Sequence, residues 1–446
     1  MRVGKKVWLI GICLAGIAGM ALTGAASAVT GETAARAAVS EAINMTGNEA
    51  GQAAAPVYND DALTFSGGPA AIMKGTGIWK FATGLGWQNL IMVGIGVLML
   101  YLGVAKDMEP LLMIPMGFGS ILANTPGSGL VEEGGFLRLV FDVGIHSEVL
   151  PILIFMGIGA MCDFAPLIAN PRMALLGAAA QLGVFGTLIG VVVVNHLWSL
   201  NLDIRQACAI AIIGAADGPT SIFMSGRYAP DMMGPITVAA YSYMAMVPLI
   251  QPPVMRLLTT KKERLIRMPV NRDVSQKEKM LFPLLVLALC VLLLPPALPL
   301  MGSFCFGNFI RECGAAERLS KALQNEIANI ATILLGLGVG MQMMAEKFLN
   351  KPTLAILALG LLAFIIGTAG GIIFAKIMNW LSPKNPVNPL IGSAGVSAFP
   401  MAARVSHRLG QEEDPTNFLI FPAMGANVAG QIGSVAAAGV ILAMLG

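Results

Sequence analysis

Long apolar segments separated by short polar ones make up most of the chain. A membrane-spanning helix needs about 20 apolar residues. From residue 80 onward, the pattern predicts spans at 88–106, 147–162, 173–198, 232–255, 280–301, 322–345, 353–379 and 417–445. Three further apolar segments, 109–125, 205–226 and 387–404, are interrupted by Pro or Gly. Such interruptions at membrane depth are tolerated only inside a protein or along a cavity, so we expect these segments to be internal.

The composition supports a membrane-spanning class. The 446 residues are 56% hydrophobic and only 12% charged, whereas soluble domains carry about 25% charged residues. The mean hydropathy is +0.75. A net charge of +3, with the basic residues clustered, excludes the broad basic face of a nucleic-acid-binding protein. We therefore predict an all-α polytopic membrane protein.

The N-terminal region differs from the rest. Arg2, Lys5 and Lys6 precede an apolar stretch that ends in Ala26-Ser27-Ala28, the pattern of a signal peptide with its cleavage site. Residues 1–28 are therefore predicted to be a signal peptide, with an uncleaved anchor helix as the alternative. Residues 29–77 read as a polar, exported, flexible segment, and 78–446 as a membrane transport domain.

One strongly basic segment, 256–279, sets the expected orientation. Its basic residues are Arg256, Lys261, Lys262, Arg264, Arg267, Arg272, Lys277 and Lys279. The positive-inside rule places this segment on the cytoplasmic side. Orientation alone would account for it, and a docking surface for a soluble partner is the alternative.

Cysteine and histidine give no sign of a metal site. The six Cys lack metal-ligand spacing, and the three His form no HExxH pattern. Cys305 and Cys313 are expected in one loop, where they could form a disulfide if that loop is extracytoplasmic.

Two pairs of stretches in the chain resemble each other. The segment from Gly157 to Pro171 resembles that from Gly338 to Pro352, and 213–227 resembles 391–404. Paired repeats with corresponding broken helices are typical of secondary transporters. We predict two structural repeats, about 147–230 and 331–407, inverted relative to each other, with broken helices that meet near the midplane.

Asp217 stands out because it is an acid inside an apolar segment. Placing it there costs about 2.5–3.5 kcal/mol on insertion scales, so a functional role is the first hypothesis. Gly218 and Pro219 interrupt the helix and free backbone carbonyls, while Thr220 and Ser221 add side-chain oxygens. Oxygen ligands of this kind bind hard cations. The alternative is a capped turn at the membrane surface.

The second broken segment contains no acid. It supplies Asn385, Asn388, Ser393 and Ser397 and ends at Arg404. One carboxylate with neutral oxygens suits Na⁺ or H⁺ better than a divalent ion. For the two serines, helix packing by small residues is the alternative.

Other charged and aromatic residues allow two interpretations each. Arg227 and Arg404 could be interface charges or could hold an anionic group. Tyr243 could pack with its hydroxyl satisfied or take part in a proton relay. The acids Glu148, Asp163 and Glu346 are interpreted as charges at span boundaries.

From residue 78 onward, the chain resembles the β subunit of the biotin-dependent sodium-pumping decarboxylases, which act on oxaloacetate, methylmalonyl-CoA or glutaconyl-CoA. The stretches that carry the resemblance are "AKDMEPLLMIPMGFGSILANTP", "GAMCDFAPLIANP", "GAADGPTSIF", "GNFIRECGAAERLS" and "SPKNPVNPLIGSAGVSAFPMAARVSH". The N-terminal 75 residues depart from the family pattern. The resemblance implies inverted repeats with a scaffold and a moving core domain.

The resemblance also implies a function. The subunit would decarboxylate carboxybiotin delivered by a partner and use the free energy to export Na⁺ while consuming a proton. The implied catalytic residues are Asp217, Tyr243 and Arg404, of which Arg404 would face carboxybiotin or tune the site. Together with the oxygens at Thr220 and Ser221, the expected Na⁺- or proton-binding residues are Asp217, Asn388, Gly392 and Ser397, with Na⁺ at Asp217, Asn388 and Ser397. Gly392 would permit close backbone approach.

Biotin is expected on another subunit. Lys74 lies in "AIMKGTG", which lacks the second Met of the usual M-K-M acceptor. The implied partners are a carboxyltransferase α subunit, a biotin carrier protein and a small membrane anchor subunit. This chain is expected to form a homo-oligomer within that complex, and the complex is expected in the bacterial cytoplasmic membrane. Two alternatives are a stand-alone Na⁺- or H⁺-coupled transporter and a membrane subunit with a purely structural role.

Overall fold

The computed structural model describes residues 73–83, 86–106, 108–198, 202–269 and 272–445. Most of these residues are helical, and they contain no strand. The all-α class is confirmed. The expected signal peptide or anchor at 1–28, and the polar segment 29–77 up to residue 72, lie outside the described residues.

Helices follow one another with short connections. The first half contains α1 (Gly77–Ala82), α2 (Gly86–Lys106), α3 (Pro110–Ala123), α4 (Phe136–Val140), α5 (Val149–Met161), α6 (Ala165–Ala169), α7 (Met173–Ala180), α8 (Leu182–Trp198), α9 (Ile204–Ala211), α10 (Gly218–Tyr228), α11 (Met233–Ala245) and α12 (Val247–Leu258). The second half contains α13 (Lys261–Arg264), α14 (Gln276–Leu293), α15 (Leu298–Glu312), α16 (Glu317–Ala322), α17 (Ala328–Met341), α18 (Ala345–Phe348), α19 (Lys351–Leu381), α20 (Leu390–Ser393), α21 (Met401–Glu413) and α22 (Ile420–Leu445).

Within the described residues, five helical stretches are long and apolar enough to cross a membrane. They are Gly86–Lys106, Met173–Leu197, Glu317–Met341, Lys351–Leu381 and Ile420–Leu445. Two bent pairs raise the number to as many as seven: Phe136–His146 with Val149–Met161, bent by 62°, and Pro230–Ala245 with Val247–Leu258, bent by 65°. A membrane protein with several spans is therefore confirmed.

The expected single span 280–301 is wrong. Helix α14 ends at Leu293, and a second helix, α15, begins at Leu298. Pro295 and Pro296 lie between them, and proline cannot donate the backbone hydrogen bond that a continuous helix requires. The two helices fold back on each other and pack together. As a result, the Gln276 side chain at the start of α14 donates to the carbonyl of Glu312 at the end of α15.

The disulfide considered between Cys305 and Cys313 does not form. Cys305 lies within α15 and Cys313 is the residue that ends this helix, so they do not share a loop. Both thiols are free.

Two of the three interrupted segments are internal over most of their length, as expected, whereas in the third, 109–125, Pro110 and Leu111 are exposed. Helices α9 and α10 pack against each other as a first hairpin, and α20 and α21 form a second hairpin. Every residue from 207 to 225 and from 387 to 398 is buried. The two interruptions thus lie within the main apolar core, which also contains Phe223, Ile391 and Val396.

The basic segment is tied to the end of the second hairpin. Arg264 pairs with Glu413 at 2.7 Å, and Arg267 pairs with Asp414 at 2.7 Å. Arg256 pairs with Glu412 at 2.6 Å. Acids at the end of α21 thus neutralise part of the basic segment and hold the end of this hairpin against it.

Candidate functional site

Asp217 occupies the break between the two helices of the first hairpin. Helix α9 continues as a short 3-10 turn to Ala215, and Ala216 adopts a left-handed conformation with φ 54°. This conformation costs a residue with a side chain about 1–2 kcal/mol. Asp217 then caps α10, because its Oδ1 accepts the backbone N–H of Thr220 at 3.2 Å. The side chain is 2% exposed, so this capped turn is buried inside the protein.

The other carboxylate oxygen of Asp217 is held by the last long helix, α22. Its Oδ2 accepts a hydrogen bond from Gln431 Nε2 at 3.0 Å and another from Ser434 Oγ at 2.5 Å. Both donors are buried. Donors of this kind stabilise an ionised carboxylate.

The tip of the second hairpin meets the first hairpin at this point. The backbone N–H of Ser397 donates to the carbonyl oxygen of Ala215 at 3.0 Å, and Ser397 Oγ donates to the carbonyl of Gly430 at 2.8 Å. Asn427 Nδ2 donates to the carbonyls of Ala394 and Val396 at 3.1 and 2.7 Å. Helix α22 therefore bridges both interrupted helices.

Several buried oxygens around this contact could serve a cation. Asn427 Oδ1 and Gln181 Oε1 have no hydrogen-bond partner among the described residues, although the amide nitrogens of the same side chains are bonded. The carbonyl end of α9 also points into the contact and adds partial negative charge. The described residues contain no group of three His, Cys, Asp or Glu side chains that could hold a metal ion. One carboxylate with neutral oxygens is a donor set that suits a monovalent cation.

Thr220 and Ser221 both lie at the start of α10, beside Asp217. Thr220 is fully buried, and its Oγ1 has no hydrogen-bond partner among the described residues. Ser221 Oγ donates to the backbone carbonyl of Asp217 at 2.7 Å. Ser221 therefore supports the turn.

Asn388 lies apart from this cluster. Its Nδ2 donates to the carbonyls of Arg264 and Ile266, each at 2.8 Å, and its Oδ1 accepts the N–H of Leu390 at 3.0 Å. The side chain thus joins the basic segment to the start of α20, and the structure records no contact with Asp217. Its assignment as a Na⁺ ligand stays a prediction.

Gly392 allows α20 to touch the long helix α19. A methyl group placed on Gly392 would lie 2.1 Å from the carbonyl oxygen of Gly371. No side chain fits at that distance, so the contact between the two backbones requires glycine here.

The tyrosine beside Asp217 is Tyr241, not Tyr243. The carbon that carries the Tyr241 hydroxyl would lie 2.3 Å from a methyl group placed on Gly218, the residue next to Asp217. The Tyr243 hydroxyl instead donates to the carbonyl of Leu357, and its ring packs against Gly360 in α19. The structure does not bring Tyr243 to the carboxylate, and its catalytic role stays a prediction.

The two arginines differ. Arg227 pairs with Glu148 at 3.3 Å and lies over the ring of Phe223. These contacts fit the first of its two interpretations, a charge at an interface between helices. Arg404, in the first turn of α21, is exposed and forms no ion pair with a described residue. Burial raises the pKa of Glu109, at the start of α3, and the nearby charge of Arg404 opposes this rise. Arg404 thus lies near an acid without forming an ion pair with it, and its assignment to substrate binding stays a prediction.

Comparison with known proteins gives the family. The sequence pattern described as "Na+-transporting oxaloacetate decarboxylase beta subunit" matches residues 88–445, well over half of the chain. The chain belongs to this family. The stand-alone transporter is therefore not favoured, and the role is that of a membrane-bound subunit of a sodium-pumping decarboxylase.

Relatives within the family differ in their named substrates. The chain is 48% identical to oxaloacetate decarboxylase beta chain 2 of Salmonella typhi over 427 residues, covering 83% of this chain and 98% of that protein. It is 52% identical over 360 residues to glutaconyl-CoA decarboxylase subunit beta of Acidaminococcus fermentans, covering 81% and 94%. It is 49% identical over 387 residues to methylmalonyl-CoA decarboxylase subunit beta of Propionigenium modestum, covering 81% and 96%. Family membership thus leaves the decarboxylated acid open.

Sequence reasoning missed the residues that α22 contributes. Asn427, Gln431 and Ser434 are spaced i, i+4 and i+7, so they lie on one face of an otherwise apolar helix. A polar stripe within a membrane span is a signal that could have identified them.

Proposed function

We propose that this chain decarboxylates carboxybiotin, delivered on a partner subunit, and couples the release of CO₂ to Na⁺ export with consumption of a proton. The observation that carries the proposal is the buried Asp217 carboxylate at the contact between two interrupted helices, with donors from a third helix. A carboxylate there can balance the charge of either Na⁺ or a proton, but not of both.

Competition at one carboxylate provides the coupling. Na⁺ transported by the subunit requires Asp217 to be ionised, together with neutral oxygens such as Asn427 Oδ1 and Gln181 Oε1. Protonation removes the charge that holds the cation. Na⁺ therefore leaves as the proton arrives, and movement of either hairpin changes the side to which the cation is released.

Arg404 is the residue best placed to receive carboxybiotin. Its guanidinium is exposed and forms no ion pair with a described residue, and arginine binds a carboxylate through two parallel hydrogen bonds. The bound N-carboxybiotin supplies a carboxyl group that leaves as CO₂ once the ring nitrogen is protonated. This chain orients that group and controls the proton that reaches it.

The proposal that the two repeats are inverted is supported by the positions at which the two hairpins open. The second hairpin, α20–α21, ends at Glu412, Glu413 and Asp414, which pair with the basic segment. This hairpin thus enters the protein from the end of the bundle that carries the basic segment.

The first hairpin opens at the other end. Its last turn carries Arg227, which pairs with Glu148 at the start of α5. At the far end of α5, the carbonyl of Cys162 accepts a hydrogen bond from Arg311. Arg311 lies near the end of α15, where the next residue, Glu312, accepts a hydrogen bond from Gln276 in the basic segment. The far end of α5 therefore lies at the basic end of the bundle, and the start of α5 lies at the opposite end. Opposite entry of two hairpins, each flanked by long helices, supports two repeats related by inversion and a core that moves against a scaffold.

The proposed setting is the cytoplasmic membrane of a bacterium, with the basic segment in the cytoplasm. A carboxyltransferase α subunit, a biotin carrier protein and a small membrane anchor subunit would complete the complex, in which this chain would be a homo-oligomer. Its relatives are named as subunits of decarboxylases, which supports such partners.

The test is Asp217→Asn in the intact complex reconstituted into vesicles. We expect Na⁺-stimulated decarboxylation and uptake of radioactive Na⁺ to be lost, because the neutral amide cannot balance the cation. Asp231→Asn is the matched control, because Asp231 is an exposed acid just beyond the first hairpin. Normal Na⁺-dependent turnover in Asp217→Asn would support the purely structural alternative instead.

A further inference from the structure

Three hydroxyl groups on one side of Asp217 have no partner. Thr220 Oγ1, Thr237 Oγ1 and the Tyr241 hydroxyl are each fully or almost fully buried and make no hydrogen bond to a described residue. Buried hydroxyls in folded proteins are nearly always paired, with protein groups or with ordered water. Three unpaired ones in the contact between α10 and α11 therefore indicate bound water.

These hydroxyls line one stripe that leads away from Asp217. Gly234, Thr237 and Tyr241 are spaced i, i+3 and i+7 on α11, so they lie on one helix face along about 10 Å. At the inner end of the stripe, the Tyr241 ring lies against Gly218, and Thr220 follows in the first turn of α10. At the outer end, a methyl group on Gly234 would lie 2.9 Å from Oε1 of Gln342.

The outer end lies near a polar cavity. Gln342 directly follows the last residue of α17. Two residues further on begins the wall of a cavity of about 200 Å³, which is lined by Met344, Ala345 and Glu346 together with Asn89, Asn124 and Glu132. The carbonyl of Met343 accepts the Asn124 side chain at 2.8 Å. The stripe thus runs from the buried carboxylate toward the end of the bundle where the first hairpin opens.

We propose that Thr220, Tyr241 and Thr237 hold a short chain of water molecules through which protons reach Asp217 from the end of the bundle opposite the basic segment. This inference rests on the proposed function and adds the route of the proton that the reaction consumes. Each hydroxyl accepts a proton from the outer neighbour on its oxygen and passes its own proton to the inner neighbour, so no net charge remains on the chain.

A proton route suits this side of Asp217 better than a second cation site. The first backbone N–H groups of α10 lie here; they can donate to a water oxygen but cannot coordinate a cation. The Asn427 side chain instead contacts Ala394 and Val396 at the tip of the second hairpin. Hydroxyls also both donate and accept hydrogen bonds, as a proton route requires.

The experiment uses the intact complex reconstituted into vesicles, with Tyr241→Phe and Thr237→Val. Each variant removes one hydroxyl and keeps the shape of the side chain. At saturating Na⁺, we expect turnover to fall about tenfold, less than for loss of a positioned acid or base, because water can partly fill the gap. Na⁺ binding, measured with radioactive Na⁺, should keep its affinity within about twofold. Thr237→Ser retains the hydroxyl and should restore wild-type turnover, which separates the hydroxyl from packing of the methyl group.

Two controls remove hydroxyls that already have partners. Thr332 Oγ1 donates within its own helix at 2.7 Å, so Thr332→Val should leave turnover unchanged. Tyr228 donates to the carbonyl of Leu442 at 3.4 Å, so Tyr228→Phe controls for loss of a phenol.

A second readout detects the water itself. Hydroxyl-radical footprinting should label Tyr241 in the wild type in spite of its burial, and Thr237→Val should reduce that labelling. Wild-type turnover in both variants, or a loss of Na⁺ affinity equal to the loss of turnover, would overturn the proton route. If Asp217→Asn keeps Na⁺ coupling, the proposed function fails. If Asp217→Asn loses coupling while the hydroxyl variants behave as wild type, only the proton route fails.

Discussion

The backbone N–H of Ser397 donates to the carbonyl oxygen of Ala215 at 3.0 Å and joins the tips of the two interrupted helices. Ala215 precedes the Asp217 turn by two residues, so displacement of the second hairpin must disturb the geometry around the carboxylate. Ser397 Oγ meanwhile donates to Gly430, one residue before the Gln431 that holds the same carboxylate. Hairpin position and cation binding are therefore linked through three short contacts.

The donors on α22 should determine how tightly Na⁺ binds. In Ser434→Ala or Gln431→Leu, Asp217 Oδ2 loses one of two hydrogen bonds. A hydrogen bond to a charged group contributes about 1.5–3 kcal/mol, so the Na⁺ concentration for half-maximal decarboxylation should rise about 10- to 100-fold. Measurement of decarboxylation against Na⁺ concentration checks this.

Ser225→Ala is the matched control for these two variants. Ser225 is equally buried, and its hydroxyl is bonded to Ile222 within the same helix. An unchanged Na⁺ dependence is expected for it. The same shift in Ser225→Ala as in Ser434→Ala would indicate a general packing effect and contradict the role assigned to α22.

The broken helix at Asp217 could be predicted from sequence because its cause is local. Gly218 and Pro219 directly follow the acid and set the turn. Gln431 could not be paired with Asp217 in this way, because the two are 214 residues apart and only the tertiary fold brings them together.

The choice between the two tyrosines shows a second limit. Tyr241 and Tyr243 are two positions apart on a helix, so their side chains point about 200° apart. Only one of them can face α10, and sequence alone does not give the rotation of α11. The wrong prediction of a single span at 280–301 has a different cause. Its signal is local, because the Pro295-Pro296 pair that marks the turn between α14 and α15 can be read from the sequence.

Gly392 should tolerate no side chain. Gly392→Ala places a methyl group 2.1 Å from the Gly371 carbonyl, so α20 must move away from α19. Overpacking of this kind costs about 1–3 kcal/mol, and the hairpin tip would shift with α20. We expect a lower melting temperature of the purified complex and loss of Na⁺-dependent decarboxylation.

The control for this substitution is Gly226→Ala in α10. Its nearest contact is Met233 Cε at 3.8 Å, which leaves room for a methyl group. Gly226→Ala should behave as wild type in both measurements. A Gly392→Ala protein with wild-type stability and activity would mean that the contact between α19 and α20 is not required.

Arg404 should bind the carboxylate of the substrate rather than stabilise the fold. Arg404→Gln removes an exposed guanidinium that has no ion pair among the described residues, so stability should change little. Loss of two charge-assisted hydrogen bonds should raise the KM for carboxybiotin at least about tenfold. Steady-state decarboxylation with added carboxybiotin measures this, and Arg404→Lys should recover only part of the loss.

Arg408→Gln provides the comparison on the same helix. Arg408 lies one turn beyond Arg404, is also exposed and forms no ion pair with a described residue. Its removal should leave the KM unchanged. Equal increases in the two variants would attribute the effect to general electrostatic attraction instead of direct binding by Arg404.

The ion pair between Arg267 and Asp414 should stabilise the protein in a pH-dependent way. Hydrogen bonds from Thr416 and Arg267 lower the pKa of Asp414 to about 2, from its ordinary value of 3.8. Because the pKa is lower in the folded than in the unfolded state, the contribution to stability is fully present above about pH 4 and is lost as the pH falls through about 2. Asp414→Asn should therefore lower the melting temperature at neutral pH, and its difference from wild type should shrink between pH 4 and pH 2. Thermal unfolding of the purified protein in detergent measures both, with Asp273→Asn as the control, because the Asp273 carboxylate forms no ion pair among the described residues. A difference that stays constant down to pH 2 would show that the carboxylate does not act through its charge.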